Sequence, residues 1–178
     1  ILAGRVPDGE ALPSLASMVK SRIGTAIHDA LETSWLTNAK QSMKALGFPA
    51  SAIDRVVINP DPGTDLTELI PIYVEQRHSK TVGDWTVTGK YDIVIDGQVA
   101  DFKSTGVFSY KNQTNTTKWS WQGSIYRWLR PDQITDSEMQ IHFIFTDWKP
   151  GLVKSDPNYP RDSYYTQSIS LHSIAATD

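Results

Sequence analysis

The chain has 178 residues, of which 39% are hydrophobic and 21% are charged, and its formal net charge is −3. This composition is typical of a single globular domain with its own core, and it argues against a basic protein that coats nucleic acid without specificity. Because the sequence has no cysteine, disulfides, thiolate zinc sites and iron–sulfur clusters are excluded.

The sequence carries no signal for export or membrane insertion. No apolar run approaches the ~20 residues that a membrane-spanning helix needs, and no signal peptide is recognisable. These features predict a cytoplasmic protein without a membrane partner. The chain begins at Ile1 rather than at a methionine, which leaves open whether further residues precede it.

The first predicted element is an amphipathic helix over residues 14–31. Gly24, His28 and Glu32 follow one another at four-residue steps and therefore share one face of this helix. A glycine inside a helix costs about 1 kcal/mol relative to alanine, which predicts that another element approaches the backbone closely at Gly24. His28 would then lie against that element, although a single helical histidine is more often a surface or core residue than a ligand.

A second helix is predicted over residues 38–46, with Asn38 as its N-cap and Gly47 at its C-terminal end. A further helical turn over residues 51–55 leads into a short strand at 56–59.

The next region predicts antiparallel strands. Residues 69–76 alternate as a strand with one solvated face, on which Glu75 lies, and Pro71 indicates an edge position or a bulge. A polar turn is predicted over residues 78–83 and a longer strand over 84–95. With the hairpin that follows, these segments predict a three-stranded meander.

Asp96 and Gly97 separate two runs of strand-forming residues, which is the strongest short-range signal for a two-residue β-hairpin turn. This turn places Asp92 directly opposite Asp101, with Cβ atoms about 5 Å apart, and puts Lys103 on the same face. The other face of the hairpin is apolar. Because facing carboxylates repel, a hard divalent cation such as Mg²⁺ or Mn²⁺ would convert the repulsion into coordination.

An alternative interpretation of the hairpin needs no metal. Charged residues are usual at solvated strand positions, and these acids could pair with Lys90 and Lys103. The hairpin by itself does not decide between the two interpretations.

The last predicted elements are a helix over residues 117–129, on which Gln122 and Tyr126 share a face, and strands at 138–146 and 164–172. The final strand is predicted to lie at a sheet edge, and loops are predicted over residues 104–116 and 147–163.

Together these elements predict one α/β (α+β) domain with a central mixed β-sheet, containing the antiparallel hairpin and meander, flanked by helices. Its core is expected over residues 14–146, with 147–178 as a C-terminal extension.

Residues 102–130 contain five basic side chains and no acidic one, and aromatic residues are interleaved with them. This combination favours single-stranded nucleic acid or splayed bases, with Lys111 and Lys118 as candidate contacts to the phosphate backbone. A helix that packs its aromatic side chains inward would show a similar pattern.

In chain order, the signals read G-T-A-I-H-D-A-L-E on a helix, Glu75 on a strand, G-K-Y-D and D-F-K on the hairpin, and Q-G-S-I-Y on the next helix. This order resembles the PD-(D/E)XK nuclease superfamily, specifically its RecB-like exonuclease branch, whose pattern is G-x-x-x-H-x-x-L-E, G-x-x-D, D-x-K and Q-x-x-x-Y. The resemblance extends from Gly24 to Tyr126 and implies a restriction-endonuclease-like fold. Tyr91 stands where many relatives have a proline.

The resemblance implies a site for one or two Mg²⁺ or Mn²⁺ ions, with ligands from His28, Asp92, Asp101 and the carbonyl of Phe102. It implies that Asp92, Asp101 and Lys103 are the catalytic residues. Lys103 would position or activate the attacking water and stabilise developing negative charge.

Supporting roles are implied for Gln122 and Tyr126, which would orient the lysine strand or touch the nucleic-acid backbone, and for Glu75 as an auxiliary ligand. The predicted function is hydrolysis of DNA phosphodiester bonds by an exonuclease of recombination, repair, or phage or mobile-element DNA processing. A recombination or single-strand-binding protein is a conceivable partner.

Two other function classes remain open from the sequence. One is a nucleic-acid-binding module that keeps the nuclease fold without turnover. The other is a structural protein whose acidic residues form surface ion pairs.

Overall fold

The computed structural model describes residues 15–45, 47–112 and 115–177. The fold is mixed α/β, with an open six-stranded sheet flanked by helices and a separate two-stranded sheet. The helices are α1 (Leu15–Ala45), α2 (Ala50–Arg55), α3 (Val107–Lys111), α4 (Thr116–Leu129) and α5 (Ile174–Thr177). The strands are β1 (Val56–Ile58), β2 (Ile70–Val74), β3 (Arg77–Val82), β4 (Trp85–Lys90), β5 (Ile93–Ile95), β6 (Gln98–Thr105), β7 (Glu138–Phe145) and β8 (Tyr164–Ser170).

The large sheet has the strand order β1-β2-β5-β6-β7-β8. The pairs β1/β2 and β6/β7 are parallel, and the other neighbours are antiparallel. Two apolar clusters cover its faces, one with Tyr126 of α4 and one with Met43 of α1. None of the helices described above combines the length and the apolar character that crossing a membrane requires.

The β5–β6 hairpin has the predicted two-residue turn. Asp96 and Gly97 both have positive φ, at 47° and 87°, as a turn with two left-handed residues requires. The predicted register is confirmed, since Ile95 pairs with Gln98.

The hairpin is not amphipathic, contrary to the prediction. Val94 and Val99 are fully buried in the cluster on the α4 side, and Ile93 and Ala100 are buried in the cluster on the α1 side. Tyr91, expected beside Ile93, packs with Val94 and Val99 instead, because the chain bends before β5 and the strand alternation stops there. Helices cover both faces, so only the end of the hairpin is polar.

The predicted meander is interrupted by an additional hairpin. β2, β5 and β6 form the antiparallel set, but residues 77–90 leave this sheet as the β3–β4 hairpin, which we call the arm. The segment predicted as a polar turn is therefore strand β3. Pro71 does not mark an edge either, since β2 lies between β1 and β5 and is buried on both faces at its end.

Helix α1 continues through the gap that the sequence predicted between two helices. At Asn38 the backbone is non-helical, with φ −132° and ψ 16°, so a kink divides α1 at the residue where the second helix was predicted to begin. Gly47, at φ 82°, ends the helix as predicted: its N–H and that of Phe48 donate to carbonyls of the last turn at 3.1 Å each, which is a Schellman motif. Leu46 itself lies outside the described residues.

The predicted close approach at Gly24 is confirmed. A Cβ atom there would lie 2.8 Å from Oγ of Ser104 on β6, so the missing side chain lets α1 cross this strand. Residues 1–14, with the predicted helix start, lie outside the described residues.

The later elements agree with the sequence except in one loop. β7 and β8 form where strands were predicted, and β8 is an edge strand of the sheet. Within the predicted loop 104–116, β6 extends to Thr105 and α3 follows it. Tyr110 of α3 packs edge-on against Phe143, with ring centroids 5.2 Å apart, and this contact with the core stabilises the helix.

The close contact between Gly89 of the arm and helix α4 can be tested by substitution. An added Cβ would lie 2.9 Å from Cδ1 of Leu129 and 3.0 Å from the ring of Tyr126. We expect Gly89→Ala to lower the free energy of unfolding by about 1–3 kcal/mol, measured by urea denaturation, because the added methyl overpacks this contact. Gly151→Ala, where nothing lies within 4 Å, is the control. Equal denaturation midpoints for both variants would contradict the close contact.

Candidate active site

An acidic cleft of about 440 Å³ lies between α1 and the ends of β2 and β4. Three elements meet here because α1 comes close to β6 at Gly24 and because the arm begins and ends at the same point of the sheet. Its lining consists of Gly24, Thr25, His28, Asp29, Glu32, Glu75, Lys90 and Asp92.

Three side chains with metal-ligating atoms converge in this cleft. His28, Glu75 and Asp92 each offer one ligand atom, and these atoms lie within 4.8 Å of one another. His28 Nδ1 is 3.4 Å from Asp92 Oδ2. The N–H of Glu75 donates to the carbonyl of Asp92 at 2.8 Å, which extends the β2–β5 pairing by one residue and holds the two acids side by side.

The backbone of Glu75 is unusual. Its φ of 56° lies in the left-handed region, which costs a residue other than glycine about 1 kcal/mol or more. The strain falls where the chain turns out of β2 into the arm. The Glu75 side chain forms an ion pair with Lys90. The hydrogen bond between them raises the pKa of Lys90, which therefore stays charged.

Asp101 and Lys103 lie on β6, two residues apart and therefore on one face. Asp101 is 2% exposed, and its Oδ2 is 2.5 Å from Nζ of Lys103. Nevertheless, Oδ2 accepts no well-directed hydrogen bond from any residue that the structure describes. The ammonium group of Lys103 nevertheless supplies the positive charge that this buried carboxylate needs.

Helix α4 supports Asp101 from the other side. Nε2 of Gln122 donates to Oδ1 of Asp101 at 3.3 Å and to Oη of Tyr126 at 2.7 Å. Burial, followed by the charge of nearby acids, raises the pKa of Tyr126, so its hydroxyl stays protonated. The two residues that the sequence placed on one helix face thus meet at Asp101.

Asp92 carries the largest electrostatic penalty in the site. Burial and then the negative charge of Asp101 raise the pKa of Asp92 from 3.8 to about 6. The N–H of Phe102, which donates to Asp92 Oδ2 at 3.1 Å, and the neighbouring His28 and Lys103 oppose this increase only in part. The carboxylate is therefore short of positive charge.

The donor set fits a hard divalent cation. One imidazole nitrogen and two carboxylate oxygens already converge, and carboxylate-rich sites of this kind suit Mn²⁺ or Mg²⁺. Glu75 belongs to this converging group, although the sequence gave it only an auxiliary role. Asp101 lies outside the group, paired with Lys103. The role of the Phe102 carbonyl stays a prediction.

The ion pairs of the metal-free alternative are also present. Lys90 pairs with Glu75 and Lys103 with Asp101. Asp92 forms a salt bridge with neither lysine, and its near partners are His28 and the N–H of Phe102.

The five basic side chains of residues 102–130, which we call the basic window, do not form one continuous basic surface. Lys111 is held 2.5 Å from Asp156 Oδ2, and Arg127 is buried, donating to the carbonyl of Asp136 at 3.0 Å. Lys118 is exposed on α4. Part of the positive charge of the basic window is therefore compensated by acidic or carbonyl groups from outside it.

Sequence reasoning missed several residues of the cleft. Glu32 was placed on the face of His28 but received no role, and Asp29 was not considered. Lys90 was considered only as a surface partner. The four-residue step from His28 to Glu32 was a usable signal, whereas the Lys90–Glu75 contact depends on the fold of the arm.

In the metal-free protein, the raised pKa of Asp92 predicts a pH-dependent loss of stability. Because the folded-state pKa of about 6 exceeds 3.8, protonation favours folding; this contribution is complete below pH 3.8 and disappears as the pH rises through about 6. It amounts to at most about 3 kcal/mol. Asp92→Asn cannot titrate, so urea unfolding in EDTA at several pH values should show a smaller decline for the variant. Parallel pH profiles for both proteins would contradict the assignment.

No family model, curated protein or solved structure matches this chain. A function for the cleft therefore has to be inferred from the chemistry of its side chains. That chemistry combines a potential cation site with a lysine held beside a buried carboxylate.

Proposed function

We propose that the protein is a Mg²⁺- or Mn²⁺-dependent nuclease that hydrolyses DNA phosphodiester bonds, with the restriction-endonuclease-like fold of the PD-(D/E)XK superfamily and the RecB-like branch as its family. The observation that carries the proposal is the convergence of His28, Glu75 and Asp92 beside the Asp101–Lys103 pair. The motif residues also lie on a helix, at the ends of β2 and β5, within β6 and on a second helix, in the order of the sequence resemblance.

His28, Glu75 and Asp92 would hold the cation, and Asp101 offers a further buried oxygen. When bound, such an ion lowers the pKa of a coordinated water and offsets the negative charge of the phosphate. In an acidic cleft, that positive charge would also favour the approach of the scissile phosphate.

Lys103 supplies the positive charge that belongs to the chain itself. In hydrolysis, a water molecule loses a proton as its oxygen forms a bond to phosphorus, the ester P–O bond breaks, and the leaving alkoxide takes up a proton. Negative charge on the phosphoryl oxygens increases along this path, and a fixed ammonium group close by stabilises it. Asp101 holds Lys103 in place, and Gln122 holds Asp101.

Asp101→Asn and Lys103→Met should each reduce Mn²⁺-dependent cleavage of end-labelled linear DNA by at least about 100-fold, because Lys103→Met removes the positive charge beside the phosphate and Asp101→Asn removes the carboxylate that holds Lys103 in place. Lys40→Met, on the exposed side of α1, is the matched lysine control and should cleave normally. If the enzyme is an exonuclease, closed circular DNA stays intact. Full activity in either site variant, with an unchanged melting temperature, would rule out the proposed chemistry.

Metal binding can be tested without activity. At 100 times its Kd, Mn²⁺ should raise the melting temperature by about 5–10 °C, because it binds only the folded chain. His28→Ala and Glu75→Gln should lose most of this increase, whereas Asp54→Asn, an exposed acid on α2, should keep it.

The same measurements separate the alternatives. A structural protein whose acids only form ion pairs would show no increase in melting temperature with Mn²⁺. A binding module without turnover would bind DNA and yield no cleavage product.

A further inference from the structure

The arm joins two residues of the candidate metal site directly. Glu75 precedes its first strand and Asp92 follows its second, so the arm starts and ends at the cleft. Its six paired positions, Arg77 with Lys90 through Val82 with Trp85, carry the chain about 20 Å away from the sheet and back.

The arm has a fixed position on α4. Gly89 packs against Tyr126 and Leu129, and Nζ of Lys80 lies 4.0 Å from the ring centroid of Trp128. Both contacts lie on one face of the arm. Gly89 pairs with His78, and His78 and Lys80 are two residues apart on β3, so all three point to the same side. The base of the arm is thereby seated on the helix that also holds Asp101.

The tip of the arm carries an aromatic side chain without a core to bury it. Trp85 is 79% exposed, the most exposed large apolar side chain among the described residues. It pairs with Val82, which is also exposed, across a turn of Gly83 and Asp84. A two-stranded sheet cannot bury an indole, so Trp85 presents its ring to solvent.

The charge of the arm complements a nucleic acid. Of its three basic side chains, Lys90 is already paired with Glu75, which leaves the exposed Arg77 and Lys80 against one acidic residue, Asp84. A cationic strand pair with an exposed aromatic tip matches the combination that binds single strands, where phosphates need cations and unpaired bases need a stacking surface.

We propose that the arm binds a single-stranded segment of the substrate, with the Trp85 indole stacked on an unpaired base and the basic side chains beside the phosphates. This rests on the proposed nuclease function and adds a substrate class to it: nucleic acid with an unpaired stretch or frayed end next to the cleaved bond. The indole needs the open face of a base, which the interior of a duplex does not offer.

The test is fluorescence anisotropy of a labelled oligothymidylate in EDTA, with the full chain. Trp85→Ala should weaken binding about 5- to 150-fold, and Trp85→Phe should recover most of the loss because a phenyl ring still stacks. Phe48→Ala is the control, since Phe48 is a half-exposed aromatic outside the arm and should bind as the wild type does. Circular dichroism melting verifies that each variant is folded.

Hydrolysis of bis(p-nitrophenyl) phosphate with Mn²⁺ separates this proposal from the previous one, because this small diester has no base to stack. Trp85→Ala should hydrolyse it at the wild-type rate. If the wild type hydrolyses the diester but Trp85→Ala binds the oligonucleotide normally, the role of the arm is refuted and the nuclease stands. If only the Trp85-dependent binding is observed, the arm stands and the nuclease fails.

Three further outcomes would also overturn the role of the arm. The first is an equal loss of binding in Phe48→Ala. The second is a blunt duplex that binds as tightly as the single strand and with the same Trp85 dependence. The third is a Trp85 variant that only changes the sedimentation of the protein from oligomer to monomer.

Discussion

The repulsion between Asp92 and Asp101 is the constraint on which the site depends. Both carboxylates lie near the end of one hairpin, and water reaches Asp101 hardly at all. An ionised carboxylate in such a place needs positive charge or directed hydrogen bonds. Lys103 and Gln122 provide these for Asp101, and the Phe102 N–H provides one for Asp92. Burial and the charge of Asp101 nevertheless raise the pKa of Asp92 to about 6.

Several local features of the backbone produce this geometry. The absence of a side chain at Gly24 lets α1 bring His28 to the strands, and the left-handed residue Glu75 turns the chain out of the sheet at the cleft. Gly89 then seats the returning strand on α4. The helix that supports Asp101 therefore also fixes the direction of the arm.

The sequence was most informative where a local rule decides the structure. Asp96 and Gly97 predicted the turn, and the turn determined the register, because two left-handed residues permit only one tight hairpin there. Periodicity found α4 and β7, and spacing placed Gln122 and Tyr126 on one face. The motif order indicated where to look for a site, and the structure brings most of those residues together.

Contacts between distant segments decided the rest. Residues 78–83 are predicted as a turn because they are polar, and only the pairing of residues 78–82 with β4 makes them part of a strand. Val94 and Val99 are covered because α4 packs there. The ion pairs of Lys90 and Lys111, which depend on Glu75 and Asp156, likewise needed the tertiary structure. The sequence by itself determined the turn at Asp96 and Gly97, the helix faces and the chemical types available for a site. Which charges are buried, which are already paired and which aromatic ring stays exposed depended on packing, because burial is set by neighbours that local patterns do not specify.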